Sequence, residues 1–378
     1  MRVLFCGGGT GGHIYPALTV ASELTSRIAP LFTLYVGAKG EIEETLVPRA
    51  SVPLETIEGG GLHGVGPRHF LRNLARLGRG FVQAWRTVGH FRPDVVFLTG
   101  GYVSVPVAVA AWLRRCPILV YLPDVEPGRA IKWIGRIATR IAVSVEPSRK
   151  YLPPKVIVTG YPLRPEFLQD QAQLRRSARE ALGISPGEKT LLVFGGSRGS
   201  QSINRALGGI LERVLSQAHL IHMSGKLDYE ACWARRAQLP KEAQARYHLF
   251  DYVHEMAQML AAADLAVARA GAATLAEFPI LGLPAILVPY PYAWRYQKVN
   301  ADYLAERGAA IRLDDADMPE RLGPMVEALF TDEERLKQMS SRARELAQPN
   351  AAACLADLLT KLARTSRSTA GEGDHGRH

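Results

Sequence analysis

Short apolar runs alternate with longer amphipathic stretches along almost the whole chain of 378 residues. Runs such as VLF, VVFL, LLVF and AILV contain no polar position, which is typical of strands buried on both faces of a parallel sheet. Helical stretches between successive strands indicate the doubly wound α/β class. The predicted strands are 3–5, 32–36, 95–98, 118–121, 141–145 and 156–158, then 191–194, 220–223, 248–250, 265–267, 285–288 and 310–312.

The chain is too long for one ordinary hydrophobic core, so two domains are expected. LFCGGGTGGH, near the start, and LVFGGSRGSQSIN, near the middle, both run from a strand through a glycine turn and a hydroxyl residue into a helix. This repeat predicts two similar α/β halves that join near Gly160-Tyr161-Pro162. The expected parts are an N-terminal domain (1–160), a C-terminal domain (161–345), a closing helix (346–365) and a disordered tail (366–378).

The uncharged segment 95–113 is nearly long enough to cross a bilayer. Gly100, Gly101 and Pro106 interrupt it, so it predicts a strand, a tight turn and a helix instead of a membrane span. The N-terminus leads directly into a strand without a signal-peptide pattern, and the four cysteines show no paired spacing. These features predict a reducing, cytoplasmic setting.

The net charge of +10 predicts an anionic partner. Between residues 62 and 92, six arginines and no acidic residue alternate with large apolar side chains, among them Leu74, Leu77, Phe81 and Trp85. This pattern predicts a basic amphipathic helix, which either lies on a membrane surface or packs its apolar face on its own domain. Because the basic residues alternate with aliphatic rather than stacking aromatic side chains, no nucleic-acid partner is expected.

The first glycine loop, GGGTGG at residues 7–12, ends the first strand. Neither a Walker A motif nor an acidic residue after the second strand is present, which argues against a dinucleotide cofactor. Glycines in such a turn let the backbone come close to a ligand and expose N–H groups that suit negative charge. His13, at the helix start, is a candidate general base, and the alternative is a histidine that only packs against the turn.

Two further clusters carry candidate binding groups. Ser197, in the loop 195–200, suits a phosphate oxygen, although Gly-Gly-Ser is also a common flexible turn. In the segment 269–277, small residues at a helix start leave room for a ligand, and Glu277 is either an acceptor for a ribose diol or a solvated helix residue. The amides of Gln297 and Asn300 suit sugar hydroxyls, because an amide both donates and accepts.

Taken together, these motifs resemble the MurG family, the UDP-N-acetylglucosamine transferases that complete lipid II in peptidoglycan synthesis. The resemblance runs in order from residue 2 to about residue 362 and is carried by GGGTGGHIYPAL, GGYVSVP, YPLRPEF, FGGSRGSQSIN and ARAGAATLAEFPILGLPAILVPYP. It implies a GT-B fold, with two Rossmann-like domains and a central cleft. It also implies an inverting transfer of GlcNAc from UDP-GlcNAc to the 4-hydroxyl of MurNAc in lipid I, without a metal or other cofactor.

The same resemblance implies a role for each matching residue. His13 is the base on the acceptor side, in the loop that also holds Thr10, Gly11 and Gly12. Arg164 and Ser197 bind the phosphate region of the nucleotide, Glu277 the ribose and Gln297 the sugar hydroxyls. Gly271, Ala272 and Thr274 line the donor. The family's patch for an anionic membrane maps onto Leu74, Leu77, Phe81, Trp85 and Trp112, which places the protein peripherally on the cytoplasmic face of the cell membrane.

The sequence departs from the family pattern around the sugar. Tyr121-Leu122-Pro123-Asp124 stands where the family usually shows His-Glu-Gln-Asn, so Asp124 is expected to replace the asparagine that contacts the donor sugar. Three alternatives stay open at this point: a lipid glycosyltransferase for another UDP-sugar, a UDP-GlcNAc 2-epimerase and a non-catalytic nucleotide-sugar-binding protein. Asp315-Ala316-Asp317, the one DxD sequence, is predicted to be a surface turn.

Overall fold

The protein is described here by a computed structural model that covers residues 1–60, 67–196, 199–292 and 296–372, with side chains described outside 67–75 and 366–372. The chain divides into two compact units. The first comprises Met1–Leu163 and Pro349–His378, and the second comprises Arg164–Gln348. Each unit is a parallel sheet with helices between its strands, so the predicted doubly wound class is confirmed.

The first unit contains a seven-stranded parallel sheet in the order β3-β2-β1-β4-β5-β6-β7. Its strands are β1 (Arg2–Gly7), β2 (Phe32–Ala38), β3 (Leu54–Ile57), β4 (Val95–Gly100), β5 (Ile118–Leu122), β6 (Arg140–Val143) and β7 (Val156–Val158). Its helices are α1 (Gly11–Arg27), α2 (Glu43–Arg49), α3 (Pro67–Phe91), α4 (Ser104–Leu113), α5 (Arg129–Ile137) and α15 (Ala351–Glu372). The central strands β1 and β4 are completely buried in their apolar parts, as their unbroken hydrophobic runs predicted.

The second unit contains a six-stranded parallel sheet in the order β10-β9-β8-β11-β12-β13. Its strands are β8 (Thr190–Phe194), β9 (His219–Met223), β10 (Tyr247–Phe250), β11 (Leu265–Ala268), β12 (Ala285–Leu287) and β13 (Ala310–Arg312). Its helices are α6 (Gln171–Ala181), α7 (Gln201–Gln217), α8 (Tyr229–Ala237), α9 (Lys241–Arg246), α10 (Met256–Ala262), α11 (Thr274–Leu281), α12 (Tyr296–Ala305), α13 (Met318–Thr331) and α14 (Glu333–Glu345). Its core packs apolar residues of α7 and α13 against β8 and β11.

All twelve predicted strands are present, and one further strand, β3, was missed. β3 lies at the edge of the first sheet, and Glu55 and Thr56 in its middle are exposed. Because an edge strand need not bury both faces, its sequence LETI lacks the apolar run that marks the others. Segment 95–113 forms β4, a turn and α4, as predicted. Within the described ranges, no helix combines the length and the apolar character needed to cross a membrane.

The C-terminal segment differs from the prediction. Helix α15 belongs to the first unit and buries Leu355 and Leu359 completely, and Arg27 of α1 lies 3.2 Å from Asp357. Its backbone stays helical to Glu372, so the disordered tail predicted from residue 366 is wrong for 366–372. The segment SRSTAGE contains no proline, and nothing in it forces a helix that is already packed upstream to end.

Candidate active site

Close packing explains part of the first glycine loop, which connects β1 to α1. A Cβ on Gly7 would lie 1.8 Å from Thr99 Oγ1, and one on Gly8 would lie 2.1 Å from Glu43 Oε1. Gly9 adopts φ +88°, which favours glycine, and a Cβ there would meet nothing within 4 Å. The sequence interpretation attributed these glycines to a ligand, but Gly7 and Gly8 are required by the protein's own packing. Gly9 borders open space, and a Cβ on Gly12 would make only an ordinary contact, 3.7 Å from Thr10 Oγ1.

His13 is fixed by a pair of hydrogen bonds to Thr99 at the end of β4. His13 Nδ1 lies 2.7 Å from the carbonyl oxygen of Thr99, and Thr99 Oγ1 donates to the carbonyl oxygen of His13 at 2.7 Å. A carbonyl oxygen can only accept, so Nδ1 carries the hydrogen and the neutral ring has its lone pair on Nε2. The half-buried ring is therefore oriented as a base. Thr10, Gly11 and Gly12 precede it in the same loop and helix start.

The stretch Tyr121-Leu122-Pro123-Asp124, which departs from the family pattern, has a buried part and a more accessible part. Tyr121 is completely buried, with its hydroxyl 2.7 Å from Ser144 Oγ and 3.2 Å from the carbonyl oxygen of Gly160, so this side chain belongs to the core. Asp124 is half-buried just beyond β5. Two residues further on, Glu126 is buried and lies 3.5 Å from Lys132 Nζ. Within this stretch, Asp124 is the more accessible polar group.

In the second unit, Arg164 and Glu277 come together although they are far apart in sequence. Arg164 Nη2 lies 3.8 Å from Glu277 Oε1, and Arg164 Nη1 lies 3.0 Å from Glu166 Oε1. Burial raises the pKa of the Glu277 carboxyl to about 7; the positive charge of Arg164 opposes this shift and the carboxylate of Glu166 adds to it. Glu277 is thus a half-buried carboxyl with a raised pKa beside Arg164, and not a solvated helix residue.

The small residues before α11 form a short turn at the start of the same helix. Thr274 Oγ1 donates to the carbonyl oxygen of Gly271 at 2.7 Å, so the Thr274 hydroxyl is already used inside the protein. A Cβ on Gly271 would meet nothing within 4 Å, and Ala272 is almost fully buried. Gly271 therefore borders open space, which suits the approach of a ligand to the backbone.

The sequence interpretation missed a buried arginine that ties four segments of the second unit together. Arg269 Nη2 donates to Ser200 Oγ and Ser202 Oγ, both at 2.7 Å. Its Nη1 donates to Asp315 Oδ1 at 2.5 Å and to the carbonyl oxygen of Pro289 at 3.1 Å. Residues 315–317 form a short 3₁₀ turn with no buried residue, as predicted, but the prediction missed that the Asp315 carboxylate is the charge partner of a buried guanidinium.

The structure gives different surroundings to the remaining predicted binding residues, Gln297 and Asn300, and does not describe Ser197. Gln297 Oε1, in the first turn of α12, accepts a hydrogen bond from the backbone N–H of Tyr290 at 2.9 Å. Asn300 is completely buried and donates to the carbonyl oxygen of Ala270 at 3.1 Å, so its amide supports the fold. Ser197 lies outside the described residues.

Helices α3 and α4 carry exposed apolar side chains beside basic residues. Val82, Trp85, Trp112 and Leu113 are exposed, at 48%, 37%, 52% and 50% respectively, and we call these four residues the α3–α4 apolar surface. The guanidinium of Arg114 lies 4.0 Å from the centre of the Trp85 ring. The predicted membrane residues Leu77 and Phe81 are half-buried, and the side chain of Leu74 lies outside the described residues.

Comparisons with known proteins give consistent matches. Models of the N-terminal and C-terminal domains of glycosyltransferase family 28 match residues 3–143 and 190–355. The chain is 39% identical to a UDP-N-acetylglucosamine–N-acetylmuramyl-(pentapeptide) pyrophosphoryl-undecaprenol N-acetylglucosamine transferase of Roseiflexus sp., over 96% of this chain and 95% of that protein. The crystal structure of MurG from Acinetobacter baumannii is similar with a TM-score of 0.77 and 26% identity, over 95% and 99% of the two chains.

A UDP-GlcNAc 2-epimerase from Neisseria meningitidis has a TM-score of 0.67 but 14% identity, over 96% of this chain and 100% of that chain. At that level of identity, the likeness concerns the fold alone.

Glu277→Gln tests the raised pKa of the Glu277 carboxyl. A carboxyl with a higher pKa in the folded protein than in the unfolded chain stabilises the fold below the unfolded pKa, and this contribution is lost as pH rises through the folded pKa. Relative to Glu277→Gln, the free energy of unfolding of the wild type should fall between pH 4.5 and about 7 and then level off. Urea unfolding at a series of pH values measures this difference in the free energy of unfolding. Glu166→Gln removes the neighbouring carboxylate that adds to this shift, so in that background the pH-dependent difference made by Glu277→Gln should shrink. A difference between the wild type and Glu277→Gln that does not change with pH would contradict the assignment.

Proposed function

This chain belongs to the MurG family of glycosyltransferases and has its GT-B fold, and from this premise we propose that it transfers N-acetylglucosamine from UDP-N-acetylglucosamine to lipid I. The acceptor is N-acetylmuramyl-(pentapeptide) pyrophosphoryl-undecaprenol, and the product is lipid II for peptidoglycan synthesis. The observation that carries the residue assignments is the orientation of His13, whose Nδ1–H bond to Thr99 leaves Nε2 as the basic nitrogen.

In the proposed reaction, His13 Nε2 removes the proton of the acceptor's 4-hydroxyl. The freed oxygen attacks the anomeric carbon of the donor from the face opposite the diphosphate. The new C–O bond forms as the bond to the diphosphate oxygen breaks, UDP leaves with the electron pair, and the configuration inverts. The carbonyl oxygen of Thr99 stabilises the imidazolium that His13 becomes, because it accepts the Nδ1–H bond.

The second unit supplies the donor groups in this proposal. Glu277, as a carboxylate, accepts hydrogen bonds from the ribose hydroxyls, and Arg164 balances the charge of the diphosphate together with Ser197 and the start of α7. Protein groups thus fill the role that a metal ion has in other transferases. The donor passes the open backbone at Gly271 and the small side chains of Ala272 and Thr274, while Gln297 and Asp124 are assigned to sugar hydroxyls.

The α3–α4 apolar surface is proposed to contact the cytoplasmic face of the membrane that holds the lipid acceptor. Two half-exposed indoles and two exposed aliphatic residues lie there beside Arg86, Arg114 and Arg115, all of which are exposed. Aromatic and aliphatic groups with flanking arginines suit an interface of anionic headgroups and acyl chains. Ala84 and Val88 of α3 are buried in the domain core, so the same helix packs on its own domain and carries part of the proposed membrane contact.

The transfer assay uses the full-length protein, radiolabelled UDP-GlcNAc and a lipid I analogue. We expect acceptor-dependent transfer of label, and a fall in kcat of at least about 100-fold for His13→Ala, the scale of a lost general base. His90→Ala, at an exposed position of α3, is the control and should retain wild-type kcat. Transfer only from a different UDP-sugar would contradict the donor assignment, and full activity of His13→Ala would contradict the base.

Vesicle binding tests the membrane surface. The double variant Trp85→Ala, Trp112→Ala should bind vesicles containing anionic lipid at least about 10-fold more weakly, because each indole contributes apolar area that enters the interface. Trp233→Ala removes an indole of similar exposure, 47%, from the second unit and should bind like the wild type. Co-sedimentation measures both. Equal affinity of the double variant and the wild type would rule out this surface.

A further inference from the structure

A buried carboxylate lies beneath the first glycine loop, and no role in the reaction has yet been assigned to it. Glu43, the first residue of α2, is 0% exposed. Its Oε1 accepts a hydrogen bond from the backbone N–H of Gly9 at 3.2 Å, near the apex of the loop. Its Oε2 is buried and has no hydrogen-bond partner within the described part of the chain.

The surroundings of Glu43 are shaped to admit this side chain. A Cβ on Gly8 would lie 2.1 Å from Glu43 Oε1, and a Cβ on Gly37 would lie 2.9 Å from Glu43 Cβ. Glycine at both positions therefore makes room for the carboxyl group between the end of β2 and the loop. The hydrogen bond from Gly9 joins the loop to the start of α2, where Glu43 is the first residue.

Burial of this group is costly, which argues against a role in space filling. Desolvation raises the pKa of the Glu43 carboxyl, as expected for a charge removed from water without a cationic partner beside it. An apolar side chain of similar volume would fill the same space without that cost. What an apolar side chain cannot do is accept the hydrogen bond of Gly9.

The other points of the loop have their own attachments. Tyr35 donates from its hydroxyl to the carbonyl oxygen of Gly7 at 2.8 Å, and the N–H of Gly8 donates to the carbonyl oxygen of Gly100 at 3.3 Å. At its far end, the loop is held through His13 and Thr99. Glu43 provides the attachment at Gly9, where glycine's conformational freedom would otherwise leave the backbone loose.

We propose that Glu43 is a positioning residue for the acceptor side of the site: its carboxyl oxygen holds Gly9 so that the loop amides and His13 face the acceptor in one fixed arrangement. This inference rests on the proposed function for its kinetic consequence, although the effect on the loop itself does not depend on any activity. Glu43 holds the loop through the oxygen that accepts the hydrogen bond from Gly9, and not through its negative charge.

Two variants of similar volume at Glu43 separate the effect of its hydrogen-bond-accepting oxygen from the effect of its packing. Glu43→Gln keeps an oxygen that can accept from Gly9, whereas Glu43→Met fills the space without one. Glu44→Ala is the matched control, because Glu44 is an exposed neighbour whose Oε1 accepts from the backbone N–H of Gly40, at 2.9 Å, away from the glycine loop. Thermal unfolding establishes that each variant is folded.

Hydrogen exchange of the full chain, followed by mass spectrometry, measures the exchange rate of the backbone amides in the loop. For Glu43→Met we expect faster exchange in the peptide covering residues 6–13, and for Glu43→Gln and Glu44→Ala exchange close to that of the wild type. In the transfer assay, Glu43→Met should lower kcat/KM for the lipid I analogue about 10- to 100-fold, with KM for UDP-GlcNAc within about twofold. Glu43→Gln should recover most of this loss.

Equal behaviour of Glu43→Met and Glu43→Gln, in exchange and in kinetics, would overturn the inference, whether both are impaired or both resemble the wild type. A wild-type protein that transfers no sugar would instead refute the proposed function. In that case, the exchange measurement would still decide whether Glu43 orders the loop.

Discussion

The reciprocal hydrogen bonds between His13 and Thr99 are the constraint on which the first unit's site depends. They form because β1 and β4 are parallel neighbours whose register shifts between Cys6 and Gly7, so that Gly7 lies opposite Gly100. The turn after β4 then passes close to the loop: a Cβ on Gly101, at φ +82°, would lie 2.7 Å from the carbonyl oxygen of Gly8. The contact between the start of α1 and the end of β4 thus sets the position of the histidine and selects the nitrogen that is basic.

The two units solve the problem of holding polar groups in a ligand site by the same means, a buried charged side chain behind a glycine loop. In the first unit, Glu43 accepts from the loop backbone. In the second, Arg269 donates to Ser200 and Ser202, at the start of α7, and Asp315 neutralises it. Such groups are expensive to bury, and their hydrogen bonds, to the backbone N–H of Gly9 in the first unit and to serine hydroxyls in the second, offset part of the cost.

The repeated apolar runs were sufficient to predict the parallel sheets, because burial on both faces leaves a local signal in the sequence. β3 escaped prediction since an edge strand with exposed Glu55 lacks that signal. The candidate loops could be located from their glycines, but the partners of those loops could not. Glu43, Thr99 and Asp315 reach the loops through contacts between residues 34 to 113 positions apart, which no local pattern records. The ion pair of Asp315 with Arg269 was missed for the same reason.

The hydrogen bond to Thr99 leaves Nε2 of the neutral His13 ring unprotonated and available as a base. The most direct test is ¹⁵N NMR of the ring nitrogens in protein labelled at histidine, with His13→Gln used to assign the signals, at a pH where the ring is neutral. We expect a protonated, pyrrole-like Nδ1 and an unprotonated, pyridine-like Nε2. The opposite tautomer, with hydrogen on Nε2, would contradict this assignment.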